Sequence, residues 1–152
     1  MKPERRTLDF GSLDQVMPDV DRLLEGHSTI GNWSLGQICN HLATAITGSV
    51  EGYPMRAPWI VRKTIGPWVV GRILTTGRFP AWIRLPEKYV PKPGVDARAE
   101  AEALRAALRL FASHAGPLAE HPLCGVSREV WDSLHCIHCA HHLSFAIPSG
   151  AG

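Results

Sequence analysis

Apolar side chains recur along most of this chain at steps of three and four residues, the spacing that lines one face of a helix. In SLDQVMPDVDRLLEGH, Leu13, Val16, Val20, Leu23 and Leu24 form such a stripe, with Ser12 placed to start the helix and Gly26 to stop it. Pro18 falls inside this run, so the helix must kink there or begin late. In GNWSLGQICNHLATAITGSVEGY, Ser34 is followed three residues later by Gln37. That pair can cap each other's backbone N–H groups and sets the helix start at Ser34. Ile38, His41, Leu42, Ala45 and Ser49 then share a face, and the helix runs out near Gly52 and Pro54.

From Pro58 to Thr76 the pattern predicts a third helix, or two short ones divided around Gly66 and Pro67. Residues 79–94 follow as an extended connector, because Pro80, Pro86, Pro91 and Pro93 forbid a long helix. A loop of that length in a small domain is often functional. Asp96 caps a further helix with Ala99, Leu104, Leu108 and Phe111 inward. Ser127 caps the last, SREVWDSLHCIHCAHHLSFAI, which the pattern carries to Ile147 before Pro148 and two glycines end it. Alternating Val/Ile-rich strands are absent. The expected fold is all-α, a helix bundle with its long proline-rich connector between the third and fourth helices.

The 152 residues suit one domain, 1–152, with a real core. An apolar fraction of 45% and a charged fraction of 20% are ordinary for a globular protein. The net charge of +2, with Lys and Arg dispersed, gives no reason to expect nucleic acid. MKPERRTLDF has no apolar run of the secretory kind. The most hydrophobic stretch, APWIVRKTIGPWVVGRILTT, is broken by Arg62, Lys63, Pro67 and Arg72, which argues against a membrane span. A basic amphipathic surface helix is the alternative reading there. The expectation is therefore no membrane partner, a cytoplasmic location and reduced thiols.

Residues 134–145, LHCIHCAHHLSF, hold four of the eight histidines and two of the four cysteines. At about 100° per residue, Trp131, Leu134, His138, His142 and Phe145 fall on one face of the last helix. His135 and His141 flank that face, and Cys136 and Cys139 turn away from it. The face is otherwise apolar, so it should look into the bundle. Histidines one turn apart can aim at a single ion. A third ligand must come from another helix, and His41 is the histidine placed on an inward face elsewhere; His27, His114 and His121 fall at helix ends or in a turn. One inward histidine is usually a hydrogen-bonded core residue; the i, i+4 pair with an inward third is harder to dismiss. Three neutral imidazoles leave positions open for water or substrate, as catalytic sites do. They would accept a divalent transition metal such as Zn, Ni or Fe without distinguishing them.

The CxxC formed by Cys136 and Cys139 lies mid-helix, with no strand before it and no second CxxC. Packing is its expected role, rather than redox chemistry or structural zinc. Cys39, two residues from His41, is a poor ligand candidate.

NWSLGQICNHLA at 32–43, HPLCGVSREVWDSLHCIHCAHHLSF at 121–145 and the opening RTLDFGSLDQVMPDVDRL together resemble the DinB-like (YfiT-like) superfamily, and in particular bacterial domain-of-unknown-function family 1569. The resemblance covers most of the chain and is weakest from about 55 to 95. It implies a four-helix bundle, often a homodimer, with a metal held by one histidine of the second helix and a His-x-x-x-His of the last. On this chain those positions are His41, His138 and His142. Some superfamily members transfer low-molecular-weight thiols or isomerise thiol adducts, and some have lost the metal. Leu123-Cys124 stands where most relatives carry a bulkier apolar residue after His-Pro, a change that bears on the pocket.

The expected function is a metal-dependent enzyme acting on a small-molecule substrate, either a hydrolase or a low-molecular-weight-thiol S-transferase. His141, beside the ligands, is the acid–base candidate. Glu51 is a weaker one, and Asp132 should face solvent. Trp82, Arg84 and Tyr89 on the connector are candidates to cover the site and bind an anionic group. The alternative is a non-catalytic, metal-free bundle that contacts a ligand or partner through Trp59, Trp68 and Trp82.

Overall fold

The computed structural model describes residues 4–80 and 82–150. Six helices are assigned among them: α1 (Val16–Glu25), α2 (Leu35–Glu51), α3 (Trp59–Lys63), α4 (Ile65–Thr76), α5 (Ala97–Ser113) and α6 (Arg128–Leu143). Two short strands, β1 (His27–Thr29) and β2 (Ala146–Pro148), and 3-10 turns at Leu13–Gln15 and Glu87–Tyr89 complete the architecture.

The capping residues read from the sequence act as expected. Ser34 Oγ accepts from the Gln37 N–H at 3.2 Å while Gln37 Oε1 accepts from the Ser34 N–H at 3.0 Å. Asp96 and Ser127 accept from Ala99 and Val130 at the starts of α5 and α6. Ser12 makes no such bond; a 3-10 turn precedes α1, whose late start leaves Pro18 in the first turn. There its missing N–H removes no helical bond. The break between α3 and α4 falls at Thr64, just before the glycine and proline expected to mark it. Gly66 serves packing instead: a Cβ there would lie 1.8 Å from the Leu123 carbonyl oxygen.

One core joins α1, α2, α5 and α6. Val16, Val20 and Leu23 meet Leu35, Ile38, Leu42 and Ile46, together with Leu104, Phe111, Trp131 and Leu143. Each such side chain removed from water stabilises the fold by about 1.5–3 kcal/mol. The most extensive helix pairing is α2 against α5, and α6 packs on α2 and α4. In α5 the inward stripe is Ala101, Leu104, Ala107 and Phe111; Ala99, expected inward, is exposed. A smaller core sets Val69, Val70 and Ile73 of α4 against Cys124 and Leu134. None of these helices is long and apolar enough to cross a membrane.

The all-α expectation needs correcting, because β1 and β2 pair antiparallel, with Ser28 opposite Ile147. The last helix therefore stops at Leu143, not Ile147, and Phe145 lies beyond it. The bonds that draw the chain out of the helix come from far upstream. Ile30 N–H donates to the Phe145 carbonyl, and Ser149 N–H to that of Gly26. Helical periodicity cannot register a partner so distant. The N-terminal segment joins the same end: Arg6 N–H donates to Ser144 O, and its guanidinium pairs with Asp19 at 2.7 Å and donates to Leu143 O.

Candidate metal centre

The stripe of α6 most deeply buried is Trp131, His135, Cys139 and Leu143, all 0–2% exposed. This is rotated from the face the helical wheel selected. His135, expected to flank that face, is a core residue. Its Nε2 lies 2.9 Å from Ser49 Oγ, which itself donates to the Ile46 carbonyl. The hydroxyl proton is thus committed, so His135 donates from Nε2. Its ring stacks on Trp131 and meets the edge of Phe111. Burial, then neighbouring His121, lowers its pKa to about 3.

The adjacent face carries His138 and His142, which are half-buried and open onto a cleft toward α2. His41 of α2 meets them there. One ring nitrogen from each of the three lies within 4.8 Å of the others. The ring centroids are 4.6–4.8 Å apart, and the planes stand at 70–79° to one another. His41 Nε2 and His138 Nε2 are 3.0 Å apart. Nitrogens about 2.0–2.1 Å from a tetrahedral ion stand roughly 3.3 Å from each other, so the arrangement needs only a small adjustment to hold one.

Aromatic rings fix this geometry. Trp33 stacks on His142 at 5.4 Å and presents its edge to His41 at 5.1 Å, while Phe79 covers His138 at 5.1 Å. Trp33 immediately precedes the capping serine of α2 and lines a cavity with Ile38, the pairing of a hydrophobic staple. The same motif that starts α2 thereby orients two of the three imidazoles. The sequence signal for this role is the place of Trp33 immediately before the capping box.

All three imidazoles are held neutral, the form that ligates metal. Burial, then His141, brings His41 to about 4. Burial, then His41, His141 and Arg5, brings His142 to about 2. Burial, then the neighbouring histidines, pushes His138 well below its ordinary value. No carboxylate belongs to the cluster among the described residues. Glu51 sits exposed at the end of α2, and Asp132 is exposed as expected.

His141 stands beside the cluster, edge-on to His142 at 4.8 Å. Its Nδ1 lies 3.0 Å from the Arg5 guanidinium, which also donates to the His141 carbonyl and to Ser144 Oγ. An arginine can only donate, so Nδ1 is the acceptor and Nε2 carries the proton. Burial and Arg5 together bring this ring to about 4. No local pattern points to Arg5, whose partners lie 136 and more residues away.

The proline-rich connector roofs part of the cleft. Gln37 Nε2 donates to the Pro91 carbonyl at 2.9 Å and pins it to α2. Tyr89 and Leu85 line a cavity of about 210 Å³ with His41, Tyr53, Met55 and Pro122. Trp82 is 65% exposed and lies elsewhere, in a groove with Trp68, Arg72, Arg78 and Phe79. Arg84 is exposed and lines neither cavity. Of the three connector candidates, the structure brings Tyr89 alone to the histidines. His121, read from the sequence as a turn residue, lines a further cavity with His135 and His138. All four cysteines are free and buried, and burial raises Cys39 to about 12 and Cys136 to about 11. Thiols so disposed pack rather than react, as the sequence suggested.

Comparison with the curated proteins and with the solved structures gives no match. The family model described as "Protein of unknown function (DUF1569)" matches residues 2–149, so the chain belongs to that family, within the DinB-like (YfiT-like) superfamily.

Proposed function

We propose that His41, His138 and His142 hold one divalent transition metal (zinc, nickel or iron) inside a four-helix bundle of the DinB-like kind, and that the surrounding cleft is the active site of a metal-dependent enzyme. One observation carries this reading: three neutral imidazoles from two helices converge, and the side-chain hydrogen bond described among them is to one another. Histidines that merely fill a core are satisfied by other groups, as His135 is by Ser49.

A divalent ion there would stabilise an ionised water or a substrate thiolate. The chain's own residues supply the rest. Trp33 and Phe79 keep the three rings at their angles. Arg5 fixes the tautomer of His141, leaving Nε2–H as a donor for a polar group of the substrate. Tyr53, Met55, Leu85 and Tyr89 offer an apolar wall beside His41 and exclude water from it. Among the described residues, no carboxylate joins the cluster to take a proton from water. A thiol, with a pKa of about 8.5, ionises with far less help. Such a site serves either thiol S-transfer or hydrolysis.

The test is metal analysis of protein purified without an affinity tag. About one ion per chain is expected, and His138→Ala should abolish it. Absence of a stoichiometric transition metal, or unchanged loading of the variant, defeats the proposal. Parallel assays with a small thiol and an electrophilic acceptor, and with a simple ester, divide the two enzyme classes.

A further inference from the structure

Every large apolar side chain that is exposed among the described residues lies between Met55 and Val90. Trp59 is 70% exposed, Ile60 66%, Trp82 65% and Trp68 64%; Ile65, Leu74 and Ile83 join them. α4 buries Gly66, Val69, Val70 and Ile73, which leaves Ile65, Trp68 and Arg72 on its opposite side. A groove of about 590 Å³ runs between Trp68, Arg72, Arg78 and Trp82. Its floor includes Phe79, the ring that rests on His138.

The charge on this segment is one-sided. From Gly52 to Pro86 there is no Asp or Glu, while Arg56, Arg62, Lys63, Arg72, Arg78 and Arg84 all fall within it; the rest of the chain is net acidic. Glu120 pairs with Arg56 and Arg62. Lys63, Arg72, Arg78 and Arg84 take part in none of the ion pairs among the described residues.

We propose that this face, built on α3, α4 and the start of the connector, docks on an anionic lipid surface. Tryptophan indoles beside arginine and lysine, with isoleucines between them, match the chemistry of the headgroup boundary. Basic side chains near an anionic leaflet each add to the attraction. A second copy of the chain is disfavoured as the occupant, because a two-fold interface would set the cationic surface against itself. A polyanion such as nucleic acid would answer the charge but leave Ile60, Ile65 and Ile83 without a partner. Docking of this kind needs no spanning helix, and none of the described helices is long and apolar enough to be one.

The experiment is co-sedimentation of the full chain with vesicles of phosphatidylcholine plus phosphatidylglycerol, against vesicles of phosphatidylcholine alone. Binding is expected to the first, weakened by added salt, with little to the second. Trp68→Glu with Trp82→Glu, and separately Lys63→Glu with Arg72→Glu, should each lower partitioning about tenfold or more. Circular dichroism checks that both variants fold, and all four positions are exposed. A wild-type chain that stays in the supernatant overturns the proposal, as does equal binding to neutral vesicles. So does a dimer in sedimentation equilibrium that Trp68→Glu with Trp82→Glu dissociates, without vesicle binding by the wild type.

Discussion

His135 and His138 lie three residues apart on α6 and live in opposite chemistries. His135 faces the core, donates to Ser49 and is wedged among Trp131 and Phe111. His138 faces the cleft and meets two more imidazoles. Burial keeps both neutral, so charge state does not separate them. Their partners do. A satisfied histidine is part of the fold, whereas histidines whose ring nitrogens converge on one another could share a metal ion.

The sharpest way to break this contrast is to exchange the losses. His138→Ala or His142→Ala should remove essentially all bound metal, read by elemental analysis, and leave the circular dichroism spectrum unchanged. His135→Ala should do the reverse: retain metal and lose about 2–4 kcal/mol of stability in urea denaturation, through the cavity and the stranded Ser49 hydroxyl. If His135→Ala strips the metal while remaining folded, the division between the two histidines is wrong.

Acid sharpens it further. In the folded chain His135 stays neutral until about pH 3, while its unfolded counterpart takes up a second ring proton below about 6.5. Between those values the unfolded state carries the extra proton, so stability falls as pH falls from about 6.5. His135→Gln should reduce that slope by up to about 1.4 kcal/mol per pH unit, measured by urea midpoints across pH 4–6.5. The smallest effect expected is at Trp33. Trp33→Ala should keep the site but loosen His142 and His41, weakening metal affinity by about tenfold in chelator competition. An unchanged affinity would mean that the stacked ring is packing alone.

Most of the helices and the three clustered histidines were legible because both rest on local spacing. The capping box at Ser34 and the His-x-x-x-His of α6 are each contained in a single turn or two. The face of α6 was less legible. That helix packs on both α2 and α4, so apolar groups surround most of it and the direction of burial is poorly defined by pattern. The helical wheel groups His138 with His142, which do cluster with His41, but it centres them on the core and leaves His135 at its flank. The β1–β2 pair, Arg5 on His141 and Phe79 on His138 depend on contacts between distant segments, which no local period encodes.

The histidine pair that joins α2 to α6 spans 97 residues of chain. Closing so long a loop has an entropic cost that only the finished core returns. The centre therefore exists only where α2 and α6 are docked together. An ion held there would act as a lock on completed folding, binding the native state and no other. Metal binding would then raise the stability of the whole bundle, in proportion to the logarithm of free ion concentration.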